Sequence, residues 1–146
     1  MPVAITESVQ REALCIFSGP ENDVMRMTEV IDVQPLLASR LLLLISPSED
    51  IQVEAANLTH ESLIDDGEAI TVISAIHYKW SLGTDYLQLL DTLTRKVQTM
   101  HTVSTLDIID HWISITHPPL EIIKTALWNI EVRAGYKLHC IPSLYS

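Results

Sequence analysis

Four of the six histidines, His101, His111, His117 and His139, fall in the last third of this 146-residue chain. Asp107 lies four residues before His111, a spacing that puts an imidazole and a carboxylate on one helix face. Zinc needs three or four such ligands converging on one point. The HExxH and HxxxH spacings that achieve this are absent. A metal-dependent enzyme built on the C-terminal histidines is therefore the weakest of three readings, and neither metal nor cofactor is expected. His60 and His77 are isolated in sequence, and His77 beside Tyr78 reads as a core or interface residue. Cys15 sits in "ALCIF", an apolar setting in which a thiol is expected to be inert. Cys15 and Cys140 form no CxxC or zinc-finger spacing, so no disulfide framework is expected. Asp65 and Asp66, before Gly67, suit a turn and helix cap better than a catalytic pair. With four glycines in all, the chain has no GxSxG elbow and no glycine-rich phosphate loop. No catalytic residue is expected.

A second chemistry is phosphate binding. "DHWISITHPPLEIIKTALWNIEVRAG", residues 110 to 135, has the outline of a helix-turn-helix. On the second helix the positions expected to face solvent are Glu121, Lys124, Thr125, Asn129, Glu131 and Arg133. Two carboxylates among six repel a phosphate backbone. The whole chain carries a formal charge of −10, from 19 acidic and 9 basic residues, and lacks the basic patch on which non-specific nucleic-acid affinity depends. A DNA-binding regulator using residues 104–135 is thus the second reading, and nucleic acid is an unlikely partner. The charge is uneven: residues 1–100 hold 6 basic and 15 acidic side chains, residues 101–146 hold 3 and 4.

The third chemistry is apolar contact. Hydrophobic residues make up 47% of the chain and charged ones 19%, a greasy ratio for a small soluble monomer. Some of that surface is expected to be buried between chains. Tyr86, Leu90, Leu93, Val97 and Met100 repeat near heptad spacing, as a dimer seam would. Trp112 and Trp128 lie on or beside the stripes of the C-terminal helices and are candidate interface anchors, since tryptophan is enriched among binding hot spots. Trp80 shares their bulk and reads equally as core.

The elements that position these residues read as helices. Thr6 or Ser8 caps a helix carrying Val9, Ala13, Ile16 and Phe17 and ending at Gly19–Pro20. Val24, Met27, Val30 and Ile31 mark a second, stopped by Pro35. "PLLASRLLLLISPS" follows as a buried central helix. Residues 48–64 alternate like a strand at Ile51, Val53 and Ala55 but also fit a helix, the favoured alternative. Asp65 and Glu68 form a capping box for a helix running to Gly83, although its "ITVI" also suits a strand. Residues 84–100 form the most regular helix. Ser104 and Asp107 box the next, and Leu120, Ile123, Leu127, Ile130 and Ala134 stripe the last, which closes at Gly135. Residues 135–146 read as an irregular tail. The expected fold is all-α: one compact domain, 1–146, of about six to eight helices with a C-terminal helical hairpin.

"PLLASRLLLLISPS" resembles the proline, leucine, arginine and paired-leucine pattern of the HDOD signalling domain, a helical regulatory module without catalytic activity. Gln34 replaces the aspartate that precedes the proline in that family, and Ser46 and Pro47 replace the asparagine and serine that follow. No later segment aligns, and the family is not assigned. The N-terminus lacks the basic and apolar regions of a signal peptide, and "LLLLI" at 41–45 is too short to span a bilayer. A cytoplasmic, non-enzymatic regulator, adaptor or inhibitor is expected, homodimeric and binding a protein partner with a basic or hydrophobic surface.

Overall fold

The computed structural model describes residues 3–12, 15–62, 64–85 and 100–134. Of these, 55% are helical and 16% lie in strands of three small sheets. The fold is mixed α/β, which corrects the all-α expectation. The described residues fall into two compact units, the first built from 3–12 and 33–112, the second from 15–32 and 113–134.

In the first unit, β1 (Val3–Thr6) pairs in parallel with β4 (Leu42–Ile45), Ile5 opposite Leu44. Thr6 ends the strand and begins α1 (Glu7–Glu12), its hydroxyl accepting the Val9 N–H at 3.4 Å. The expected central helix over residues 35–46 is replaced by α2 (Gln34–Ala38), a reversal at Arg40 and strand β4. Arg40 adopts φ 57°, a left-handed conformation that a helix cannot continue through. A short apolar run such as "LLLLI" suits a parallel strand as well as a helix, and periodicity alone does not separate the two.

α3 (Glu49–Glu61) and α4 (Asp66–Tyr78) carry the core. Ser48 caps α3, accepting the Ile51 N–H at 3.5 Å. At the start of α4 the expected box is present: Asp65 Oδ1 accepts from Glu68 N at 2.8 Å, and Glu68 Oε2 accepts from Asp65 N at 3.1 Å. α3 contributes Ile51 and Ala55, α4 contributes Ala69, Val72, Ile73 and Ala75, and Ile64 and Leu82 complete the buried cluster. Burying a side chain the size of Ile51 or Val72 stabilises by roughly 1.5–3 kcal/mol. α4 stops short of Gly83, because Lys79 turns left-handed at φ 55°. Gly83 instead joins Leu82 in β5 (Leu82–Gly83), parallel to β6 (Thr102–Val103). α1 lies tightly on the first turn of α4, where a Cβ on Gly67 would come within 3.2 Å of Ser8 Cβ and 3.0 Å of Glu12 Oε1.

α5 (Thr105–Thr116) begins at the expected Ser104–Asp107 box, and the boundary between the units falls within it. His117, at φ 46°, ends it, and α6 (Leu120–Trp128) follows, passing into a wider π turn over Asn129–Arg133. The two helices expected at this end are therefore present. The second unit also holds β2 (Cys15–Phe17), antiparallel to β3 (Thr28–Val30). Both strands fall where helices were expected. Asp23 gives one reason: its carboxylate accepts the Met25 N–H at 2.9 Å, an Asx turn that takes a backbone donor away from a helical ladder.

Candidate interaction surface

The second unit positions its hairpin through Arg133. Its Nε donates to the Phe17 carbonyl at 3.1 Å, one terminal nitrogen reaches Asn129 Oδ1 at 3.4 Å, and the other pairs with the Glu29 carboxylate. A planar fork of fixed donors is the side chain able to satisfy three acceptors in different directions. Ile16 and Glu29 are paired in the ladder, so Arg133 engages that face of the hairpin. The opposite face carries Cys15, Phe17, Thr28 and Val30. There Arg26 lies over the Phe17 ring, its guanidinium carbon 3.5 Å from the centroid.

What the hairpin does not bury is its main chemical feature. Val24 is 98% exposed, Met25 78%, Met27 67% and Val30 84%. Glu21 and Asp23 precede them, Glu29 lies among them and Asp32 follows, all four exposed. β3 pairs with β2 on one side, and among the described residues no strand pairs with its other edge. The result is an apolar edge, rich in flexible methionine, set among carboxylates. Sequence reading missed it by assigning residues 24–32 to a helix with Val24, Met27 and Val30 inside. The usable signal was Gly19–Pro20 followed by "END", a turn between two short β-branched or aromatic runs.

The sites expected from sequence distribute as follows. Tyr86, Leu90, Leu93 and Val97 lie outside the described residues. Met100 packs half-buried against the first unit's core. Trp112 is half-buried, and Trp128 stands 49% exposed at the end of α6. Trp80 stacks on Tyr78 at 4.7 Å between centroids and is exposed, not one of the buried core residues. Lys124 is paired with Glu121 at 3.2 Å and Arg133 with Glu29, so both cations of the helix-turn-helix-like segment are committed to carboxylates. Among the described residues no three histidine, cysteine, aspartate or glutamate side chains are grouped as a metal site. His101 Nδ1 instead meets Ser81 Oγ at 3.2 Å, and His77 packs edge-on to Tyr78. Cys15 is exposed and free. No described helix is long and apolar enough to cross a membrane.

Comparison with known proteins adds no assignment: no family model, no curated protein and no solved structure matches this chain.

Proposed function

We propose that this chain is a non-catalytic binding protein, acting as a regulator, adaptor or inhibitor, that docks a partner protein on the Val24–Val30 edge of its second unit. The exposure of four large apolar side chains within seven residues carries the reading. Large apolar side chains exposed this close together mark binding sites, and methionine adapts to differently shaped partners. Glu21 and Asp23, beside them in the chain, favour a partner whose apolar segment is flanked by lysine or arginine.

A photo-crosslinking residue at position 25 tests this, with a matched probe at the exposed Asp110 as control. The expected result is one protein partner captured from position 25 alone, lost when Met27 is replaced by Asp and weakened by rising salt. Equal capture from both positions would remove the proposal.

Homodimerisation is the second part of the reading, and the β1–β4 sheet favours it. Parallel strands are normally covered on both faces. Here Val3 and Leu41 are more than 60% exposed, and Leu43 and Leu44 are exposed as well. A second copy laid on the face that carries Val3 and Leu44 would cover those two, Leu43 lying on the other face. Light scattering coupled to size exclusion checks the mass, and a monomer at high concentration excludes the dimer.

A further inference from the structure

The first unit holds a crevice of about 440 Å³ that plays no part in the docking surface. It opens beyond the carboxyl ends of β1 and β4, the position where α/β sheets generally accept ligands. Its volume lies within the roughly 300–1,000 Å³ range of small-molecule sites. α1 presents Glu7, Ser8 and Arg11 to it, the turn after β4 presents Ser46, and Gln52 and Asp66 come from α3 and α4. Ala55 and Ile70 form its apolar lining.

Ser46, Arg11 and Gln52, all exposed, each donate one bond within the protein. Ser46 Oγ donates to Glu7 Oε1 at 2.7 Å, Arg11 Nε donates to the Glu7 carbonyl at 3.2 Å, and Gln52 Nε2 donates to the Pro47 carbonyl at 3.0 Å. Each bond uses one atom of a group with others to offer: the second oxygen of Glu7, the terminal nitrogens of Arg11 and the amide oxygen of Gln52. Among the described residues no carboxylate forms an ion pair with Arg11. The Thr6 and Thr71 hydroxyls meet at 3.2 Å and tie β1 to α4, the two elements that lead into α1 and carry Asp66 and Ile70.

The charges define the ligand. Two carboxylates and one guanidinium complement a molecule with two cationic groups and one carboxylate. A simple anion would meet Glu7 and Asp66, and a simple cation would leave Arg11 unmatched. We propose that this crevice binds a free basic α-amino acid, its carboxylate on Arg11 and its ammonium and side-chain cation on Glu7 and Asp66.

Isothermal titration of the full chain with L-arginine and L-lysine tests the assignment, with agmatine as the arginine analogue that lacks the carboxylate. Saturable binding of one or both amino acids is expected with a Kd below about 1 mM, and agmatine should bind about tenfold more weakly than L-arginine. Arg11→Gln should weaken L-arginine about tenfold without weakening agmatine, which has no carboxylate for Arg11 to hold, and Asp66→Asn should weaken both. Amide shifts on L-arginine addition should centre on Ser8, Ser46 and Gln52. If Arg11→Gln does not fold, the amino acid against agmatine comparison on the unaltered chain decides. No saturable binding, agmatine binding as tightly as L-arginine, or shifts centred elsewhere would each overturn the proposal. None of these outcomes bears on the hairpin edge, whose own test is separate.

Discussion

Arg133 and Glu29 stand 104 positions apart in the chain and are joined in an ion pair that fixes β3 against the π turn after α6. Because the same guanidinium also holds the Phe17 carbonyl, one side chain secures both strands of the hairpin. Replacing it with Met keeps the aliphatic stem and removes all three bonds. Arg133→Met should cost about 1–2 kcal/mol, the partial exposure of the pair keeping the loss below that of a buried one. Lysine should rescue little, since a single ammonium cannot reproduce the fork. Hydrogen exchange at the Ser18 amide, which donates to Met27 O, checks both variants, and unchanged protection would refute the role.

Asp65 and Glu68 are a matched pair under strain of charge. Desolvation raises the Glu68 pKa first, and the neighbouring Asp65 and Glu12 carboxylates push it the same way against the lowering effect of the Asp65 backbone N–H. A carboxyl whose pKa rises on folding stabilises the fold below its unfolded value, and that contribution is lost as pH climbs through the folded one. Glu68→Gln should therefore be neutral or mildly stabilising at pH near 7, while keeping an oxygen for the box. Glu68→Ala and Asp65→Ala should each cost about 1 kcal/mol. Urea midpoints at neutral and acid pH separate these outcomes.

Asp107 moves the opposite way. The Ser104 hydroxyl, at 2.6 Å, and the Ser104 N–H, at 2.8 Å, hold its pKa below the ordinary carboxylate value, and His101 lowers it further. Its contribution is present above the unfolded carboxylate pKa and is lost as pH falls through the folded one. Ser104→Ala should return the Asp107 titration, followed by carboxyl carbon NMR, toward its ordinary value. A titration that does not move would show that the box is not what holds it.

Ser74 is buried in the first unit's core, and its hydroxyl has no hydrogen-bond partner among the described residues. An unsatisfied buried hydroxyl costs about 1–3 kcal/mol. Ser74→Ala should raise the urea midpoint without altering the slope, and a lowered midpoint would mean that the hydroxyl is satisfied in solution.

Local side-chain chemistry was the legible part of the sequence. The Asp65–Glu68 and Ser104–Asp107 boxes, α3, α4 and the two C-terminal helices all follow from caps and spacing that act within a few residues. The strands did not, because β1 and β4 stabilise each other across some forty residues and neither is long enough to impose a period of its own. Left-handed Arg40 and Lys79 were invisible for a related reason. Neither residue type advertises that conformation, which glycine usually supplies. The hairpin edge was hidden by the same valines and methionines that form it, since their spacing also fits a helix. The crevice had no signature at all, because Glu7, Arg11, Gln52 and Asp66 converge only through the packing of α1, α3 and α4.

The clamp on the hairpin sets a timetable for synthesis. α3 and α4 are close in sequence, so their shared core can assemble soon after both leave the ribosome. Residues 15–30 emerge earlier yet must wait for Arg133, 104 positions after Glu29, before Phe17 and Glu29 are secured. A nascent chain thus carries this ribbon unclamped until residue 133 has emerged, and a chaperone or the eventual partner would meet it in that state.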